Sequence, residues 1–196
     1  MSRELSEQEI VRRESLQKLQ ELGIDPYPAE LFEVNVTAKG IKKNYEARKL
    51  DYKNISIAGR LMSRRIMGKA AFAELQDSTG RIQLYFNRDE VCPGEDKTMY
   101  NTVFKKLLDI GDFVGIKGHV FTTKVGEISI HVEEFKVLTK SLRPLPLPKL
   151  DAEGNVHDAF TDPEKRYRQR YVDLVVNPQV KDAFVKRTKL TNSMRD

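Results

Sequence analysis

The sequence has no tryptophan, a single cysteine and only three histidines in 196 residues. A lone thiol, Cys92, excludes a disulfide framework within the chain. His119, His131 and His157 fall in no CxxC or HxxxH spacing, so no metal site is expected. No stretch approaches the roughly 18 uninterrupted apolar residues of a membrane helix, so no membrane partner is expected. The N-terminus, MSRELSEQEIVRRESLQ, alternates charges and has no apolar core of the kind a secretory signal needs. A cytoplasmic, reducing location is expected. There is no charged tail either: the formal charge is +5, from 34 basic and 29 acidic residues. The basic and acidic counts are 10 and 10 in residues 1–54, 13 and 11 in 55–140, and 11 and 8 in 141–196. What is present is a 39% hydrophobic, 32% charged composition, which belongs to globular chains. One local excess stands out: Arg60, Arg64, Arg65 and Lys69 occur within one decade that holds no acid.

Element signals come in three blocks. In residues 1–54, Ser6 and Glu9 form a capping box, Leu5 and Ile10 occupy the two staple positions, and Gly23 is placed to close the helix. Ile10, Leu16, Leu19 and Leu22 are expected to line its buried face. Pro26 and Pro28 stop it, and a second helix is expected over Thr37 to Arg48, packed with the first as a helical cap. From Ile55 the pattern changes to two-residue alternation, predicting strands at 55–67, 70–78, 81–87, 112–122 and 128–138, with a helix over Met99 to Leu108. The order β-β-β-α-β-β over 55–140 predicts a mainly β fold, a five-stranded OB-fold barrel, with the helices of 1–54 as an extension. An SH3-like barrel, the main rival, has no need of the helix. Residues 141–161, with Pro144, Pro146 and Pro148, are expected to form an extended linker. Asp162 to Val176 and Gln179 to Asp196 read as helices, the second lacking a stop, so the chain is expected to be truncated there.

Residues two apart on a strand share a face. With Ile82, Leu84 and Phe86 inward, Gln83 and Tyr85 point outward. With Ala73 and Leu75 inward, Phe72, Glu74 and Gln76 point outward. With Ile57, Gly59 and Leu61 inward, Arg60, Met62 and Arg64 point outward, and Ser129, His131 and Glu133 do so on the fifth strand. Aromatic rings, amides and guanidinium groups on one sheet face are what single-stranded nucleic acid requires: stacking, base-edge pairing and phosphate contact. A purely structural face, with Phe72 and Tyr85 covered by the N-terminal helices, remains the alternative. Gly115 and Gly118 form a GxxG, but inside a strand they mark a bend rather than a phosphate clamp. No catalytic set emerges, and Glu74 alone is not the acid cluster a nuclease version of the barrel needs.

The blocks AGRLMSRRIMGKAAFAELQDSTGRIQLYF, GDFVGIKGHVFTTKVGEISI, LTKSLRPLPLP and RYRQRYVDL resemble the N-terminal half of class II lysyl-tRNA synthetases of the bacterial type. The aspartyl and asparaginyl relatives are the alternative, but share only the barrel and parts of its first strands. The resemblance implies that the barrel binds the U-rich anticodon loop of lysine tRNA. Phe72 matches the family's stacking residue and Gln83 the one that hydrogen-bonds the central uridine. Arg60 and Arg64 match first-strand arginines, and Glu127 matches an acidic anticodon contact in the hairpin between strands four and five. It also implies that residues 162–196 open the class II catalytic domain. The parent enzyme, a homodimer, uses ATP and Mg2+, whereas this stretch holds no cofactor and no catalytic or metal residues.

Overall fold

The computed structural model describes residues 4–150, 156–157 and 160–195. The chain divides into two units, Met1–Pro144 and Leu145–Asp196, each described by itself.

In the first unit, α1 (Glu7–Glu21) starts at the capping box: the Ser6 side chain accepts from the Glu9 amide, and the Glu9 carboxylate accepts from the Ser6 amide. It ends in a Schellman motif. Gly23 adopts φ +74°, its amide donates to the Gln20 carbonyl, and the Ile24 amide donates to the Leu19 carbonyl. Only part of the apolar face expected is buried: Leu19 fully and Leu16 in half. Glu9, Arg12, Ser15 and Leu19 are buried, while Ile10 and Leu22 are 46% and 45% exposed. The reason is the surface beneath it, which presents unpaired carbonyls. Arg12 donates to the Ser141 carbonyl at 2.9 Å and to the Ile110 carbonyl at 2.8 Å, which a leucine cannot do.

The second helix, α2 (Ala38–Asn44), is capped by Thr37 and continues as 3-10 turns at Tyr45–Ala47 and Lys49–Tyr52. The two helices do not form one cap. α1 packs on the Met99–Leu107 helix, and α2 packs on the third strand and the turn that precedes it.

Five strands, β1 (Ile55–Met67), β2 (Ala70–Gln76), β3 (Arg81–Asn87), β4 (Phe113–Thr122) and β5 (Ile128–Thr139), close a barrel in the order β1-β2-β3-β5-β4. All pairs are antiparallel except β3 with β5. The strand ends lie within two residues of those read from alternation. A short helix, α3 (Arg88–Val91), follows β3. Met99–Leu107 is wound with π-type spacing, the Leu108 amide reaching back to the Val103 carbonyl. It fills the barrel with Tyr100, Val103, Phe104 and Leu107, and Phe104 stacks on Phe86 at 4.1 Å between centroids. Gly118 sits where β5 carries an extra residue: a Cβ there would lie 1.9 Å from the His131 carbonyl oxygen, so only glycine lets the two backbones meet.

A second irregularity matters more. On β1, Leu61 pairs with Leu75 and Ser63 with Glu74, so Met62 is an extra residue in a β-bulge. Met62, expected to point outward, is 4% exposed. Beyond it the alternation is shifted by one: Arg64 pairs with the inward Ala73, and Arg65 pairs with the outward Phe72.

One end of the barrel is closed by charge. Lys140, 2% exposed, donates to Asp112 at 2.8 Å, to Asp109 at 2.5 Å and to the Leu107 carbonyl at 2.7 Å. Asp112 also accepts from the Ser141 and Asp109 amides. Burial pushes the Asp112 carboxyl above the usual range, against the pull of the Lys140 ammonium and these hydrogen bonds.

In the second unit, β6 (Lys149–Leu150) pairs with β7 (Val156–His157), so part of the expected linker is a hairpin. Residues 151–155 and 158–159 of that linker, and Asp196, lie outside the described residues. The helix expected over 162–176 is broken at Gln169 (φ −118°, ψ 53°) into α4 (Pro163–Arg168) and α5 (Arg170–Val176), followed by α6 (Pro178–Ser193). Asp173 gathers Arg166, Arg170 and Asn177 around one carboxylate at 2.5–3.0 Å, which fixes the break. Burial raises its pKa, but the hydrogen bonds from Asn177 and Arg166 outweigh it and the net direction is down.

Candidate nucleic-acid interface

The outer face of β1, β2 and β3 is built in rungs. One rung is Arg65, Phe72 and Tyr85, continuing through the parallel pairing to His131 on β5 and then to His119 on β4. The next is Ser63, Glu74, Gln83 and Ser129, and the third is Arg60, Gln76 and Arg81.

Phe72 is half-buried. Its ring lies 5.2 Å from Tyr85, and the Arg65 guanidinium is 5.9 Å from its centroid. Tyr85 is held edge-on by His131 at 5.0 Å and Phe121 at 5.9 Å. His131 lies against α3, its Nε2 2.5 Å from a Glu90 carboxylate oxygen without hydrogen-bond geometry. Phe72 therefore stands at the open edge of an aromatic group that is itself braced from behind.

Gln83 is half-exposed, one rung away, and its amide makes no hydrogen bond among the described residues. Its neighbours are engaged: Arg81 donates to Gln76 at 2.8 Å and to Glu74 at 3.0 Å. An amide left without a partner on a sheet where adjacent polar groups are paired is available to a ligand.

The two predicted arginines differ from expectation. Arg64 leaves the outer face: its Nη1 donates to the Phe104 carbonyl and its guanidinium lies 5.6 Å from the Phe104 ring. Burial lowers its pKa, with Asp109 and Asp112 pulling the other way. The bulge at Met62 is the cause. Arg60 is on the outward rung, but its head turns to the barrel end, donating to the Gly111 carbonyl at 2.8 Å and lying over Phe113 at 4.3 Å. Burial lowers its pKa as well, opposed by Asp112. The residue that takes up the vacated position is Arg65, which alternation alone had not singled out.

Glu127 lies at the β4–β5 hairpin, where Gly126 has φ +87° and the Glu127 amide donates to Thr123 Oγ1 at 3.0 Å. It is two residues before Ser129, the partner of Gln83 across the β3–β5 ladder, and its carboxylate is 3.5 Å from Lys42 of α2. Ser129, expected outward, is fully buried, its hydroxyl donating to the Glu127 carbonyl. The structure thus brings Phe72, Gln83 and Arg65 onto one face, sets Glu127 at its rim, and takes Arg64 away.

A five-stranded closed barrel with a helix between its third and fourth strands, and an outer face of half-exposed aromatic, amide and guanidinium groups, defines an OB-fold of the nucleic-acid-binding kind. Residues 55–138 match the tRNA anti-codon family model, described as an OB-fold nucleic acid binding domain. The particular relatives are lysine–tRNA ligases. The chain is 64% identical over 193 residues to that of Christiangramia forsetii and 62% identical over 193 residues to that of Porphyromonas gingivalis strain W83, covering 98% of this chain and 33% of each relative. It is 57% identical over 191 residues to that of Azobacteroides pseudotrichonymphae, covering 97% of this chain and 38% of the relative. The chain spans about a third of the length of these curated relatives.

Proposed function

We propose that this chain is the tRNA-binding portion of a class II lysine–tRNA ligase of the bacterial type, and that its barrel reads the U-rich anticodon of lysine tRNA. The observation that carries this is the rung on which Phe72 stands half-exposed beside Arg65, with the unpartnered Gln83 amide one rung away. In this reading Phe72 stacks on a splayed uridine and Arg65 meets its phosphate. Gln83 donates to the uracil carbonyl and accepts from its N3–H. An amide can turn over by 180°, so discrimination against cytosine needs a neighbour that fixes it. Glu74, acceptor-only and paired with Gln83 across the ladder, is the neighbour proposed to take the NH2 end when RNA binds, giving up part of its contact with Arg81. Glu127 is an acceptor near a polyanion and serves discrimination rather than affinity.

In the parent enzyme, on this reading, the lysine carboxylate attacks the α-phosphorus of ATP and expels pyrophosphate, and a hydroxyl at the tRNA 3′ end then takes the lysyl group and releases AMP; Mg2+ would offset the phosphate charge. Among the described residues no group of three or more His, Cys, Asp or Glu side chains could hold a metal ion. Residues 162–196 are, in this reading, the opening of the catalytic domain. Exposed Tyr167, Tyr171, Leu190 and Met194 are then the side chains covered by its remainder and by the second subunit of a homodimer. The cytoplasm is where such an enzyme works, and no described helix is long and apolar enough to cross a membrane.

The test is titration of an anticodon stem-loop carrying UUU. Phe72→Ala is expected to weaken binding by about 1–3 kcal/mol, the worth of one stacked base. Affinity unchanged by Phe72→Ala contradicts the site.

A further inference from the structure

The charge balance of residues 1–54 conceals a segregation. Residues 1–37 carry Arg3, Arg12, Arg13 and Lys18 against eight acids, whereas 38–53 carry Lys39, Lys42, Lys43, Arg48, Lys49 and Lys53 against only Glu46 and Asp51. The basic stretch is itself fixed to the barrel. The Ala38 amide donates to Asp77 at 2.7 Å, the Lys39 amide donates to Thr79 Oγ1 at 3.1 Å, and Ala38 and Ile41 are fully buried. Tyr45 donates to the Val120 carbonyl and Tyr52 to the Gly40 carbonyl. With its apolar side spent on these contacts, the segment turns all six basic side chains to solvent. Lys42 and Lys49 have acidic partners, Glu127 and Glu46. Lys39, Lys43, Arg48 and Lys53 have none among the described residues.

We infer that the Lys39, Lys43, Arg48 and Lys53 surface is a second, sequence-independent RNA contact that grips the phosphate backbone of the paired stem next to the loop read by the barrel. This rests on the anticodon reading of the barrel face. Position supports it: Lys42 of the same segment touches Glu127 at the rim of that face, so RNA whose unpaired bases lie on β2 and β3 has its backbone within reach of α2. Electrostatics supports it too. Free ammonium groups on a docked segment gain counterion release without the entropy cost of ordering a loose tail.

The test uses the full chain and the quadruple variant K39Q/K43Q/R48Q/K53Q, with thermal melting as the folding control. Two RNAs are titrated over a range of salt: the UUU anticodon stem-loop and its unpaired loop strand alone. The variant is expected to bind the stem-loop about tenfold more weakly at low salt, with a salt slope smaller by about 0.9 for each lost phosphate contact. Its affinity for the loop strand stays within about twofold of the wild type. The matching K39R/K43R/K53R variant retains full stem-loop binding. Equal stem-loop affinity and equal slope in wild type and quadruple variant overturn the inference. If the wild type prefers neither UUU RNA over a hairpin with another loop, the anticodon reading fails by itself. The stem contact is then judged by the slope on that hairpin.

Discussion

Arg64 and Arg65 are neighbours in sequence, carry the same side chain, and end in opposite regions of the barrel. Arg64 goes to the closed end, where Lys140, Asp112, Asp109 and Arg12 also spend their charges on carbonyls, amides and each other. Arg65 goes to the outer face, where its guanidinium lies near a half-exposed ring and the adjacent Gln83 amide is left unpaired. At the closed end Arg12, Arg64, Lys140 and Asp112 all have internal partners, an arrangement that serves the fold. The outer face leaves the Gln83 amide without a partner among the described residues, which is what the proposed ligand contact needs. Net charge does not distinguish these regions. The phase of β1 after its bulge does.

The comparison can be broken first at the closed end. Lys140→Met leaves Asp112 buried without its cation, and is expected to cost about 3–5 kcal/mol in urea unfolding. The double variant Lys140→Met/Asp112→Leu recovers most of that loss. Next, Arg64→Ala is expected to cost about 1.5–3 kcal/mol of stability by removing a charged hydrogen bond to the Phe104 carbonyl. Arg65→Ala changes stability by no more than about 0.5 kcal/mol, yet weakens RNA binding and reduces its salt slope by about 0.7. Stability losses of equal size at the two positions contradict the assignment of phase.

The smallest effect concerns the docking of α2. Asp77 is pushed up by burial, but the amides of Ala38, Thr79 and Gly80 and the Thr79 hydroxyl bring its pKa below the ordinary 3.8. A carboxyl lowered in the folded state contributes stability that is complete above its unfolded value and is lost as the pH falls through its folded one. Stability should therefore decline below about pH 3.8 in wild type more than in Asp77→Asn, measured by denaturant midpoints across that range.

Much of the barrel was legible because alternation is a strong signal on strands with one buried face. Ile82, Leu84 and Phe86 fix the inward phase of β3, and Gln83 and Tyr85 follow. The bulge was not legible: Leu61 and Met62 are both apolar, and the Ser63, Arg64, Arg65 run after them is polar throughout, so a one-residue shift leaves no trace in the pattern. The buried face of α1 was partly misjudged for a different reason, since its carbonyl-rich docking surface comes from residues about 100 positions away. The break at Gln169 depends on the Asp173 cluster, which no local propensity records. Glu127 was reached through the resemblance, since alternation places no hairpin residue on a face.

The central claim is that Gln83 touches the base that sets specificity. A double-mutant cycle tests it: wild type and Gln83→Ala are each titrated with the UUU stem-loop and with one whose central uridine is replaced by cytidine. The account predicts that the wild type favours uridine and that Gln83→Ala loses most of that preference, a coupling of about 1 kcal/mol or more. Additive effects, with the uridine preference intact in Gln83→Ala, contradict it.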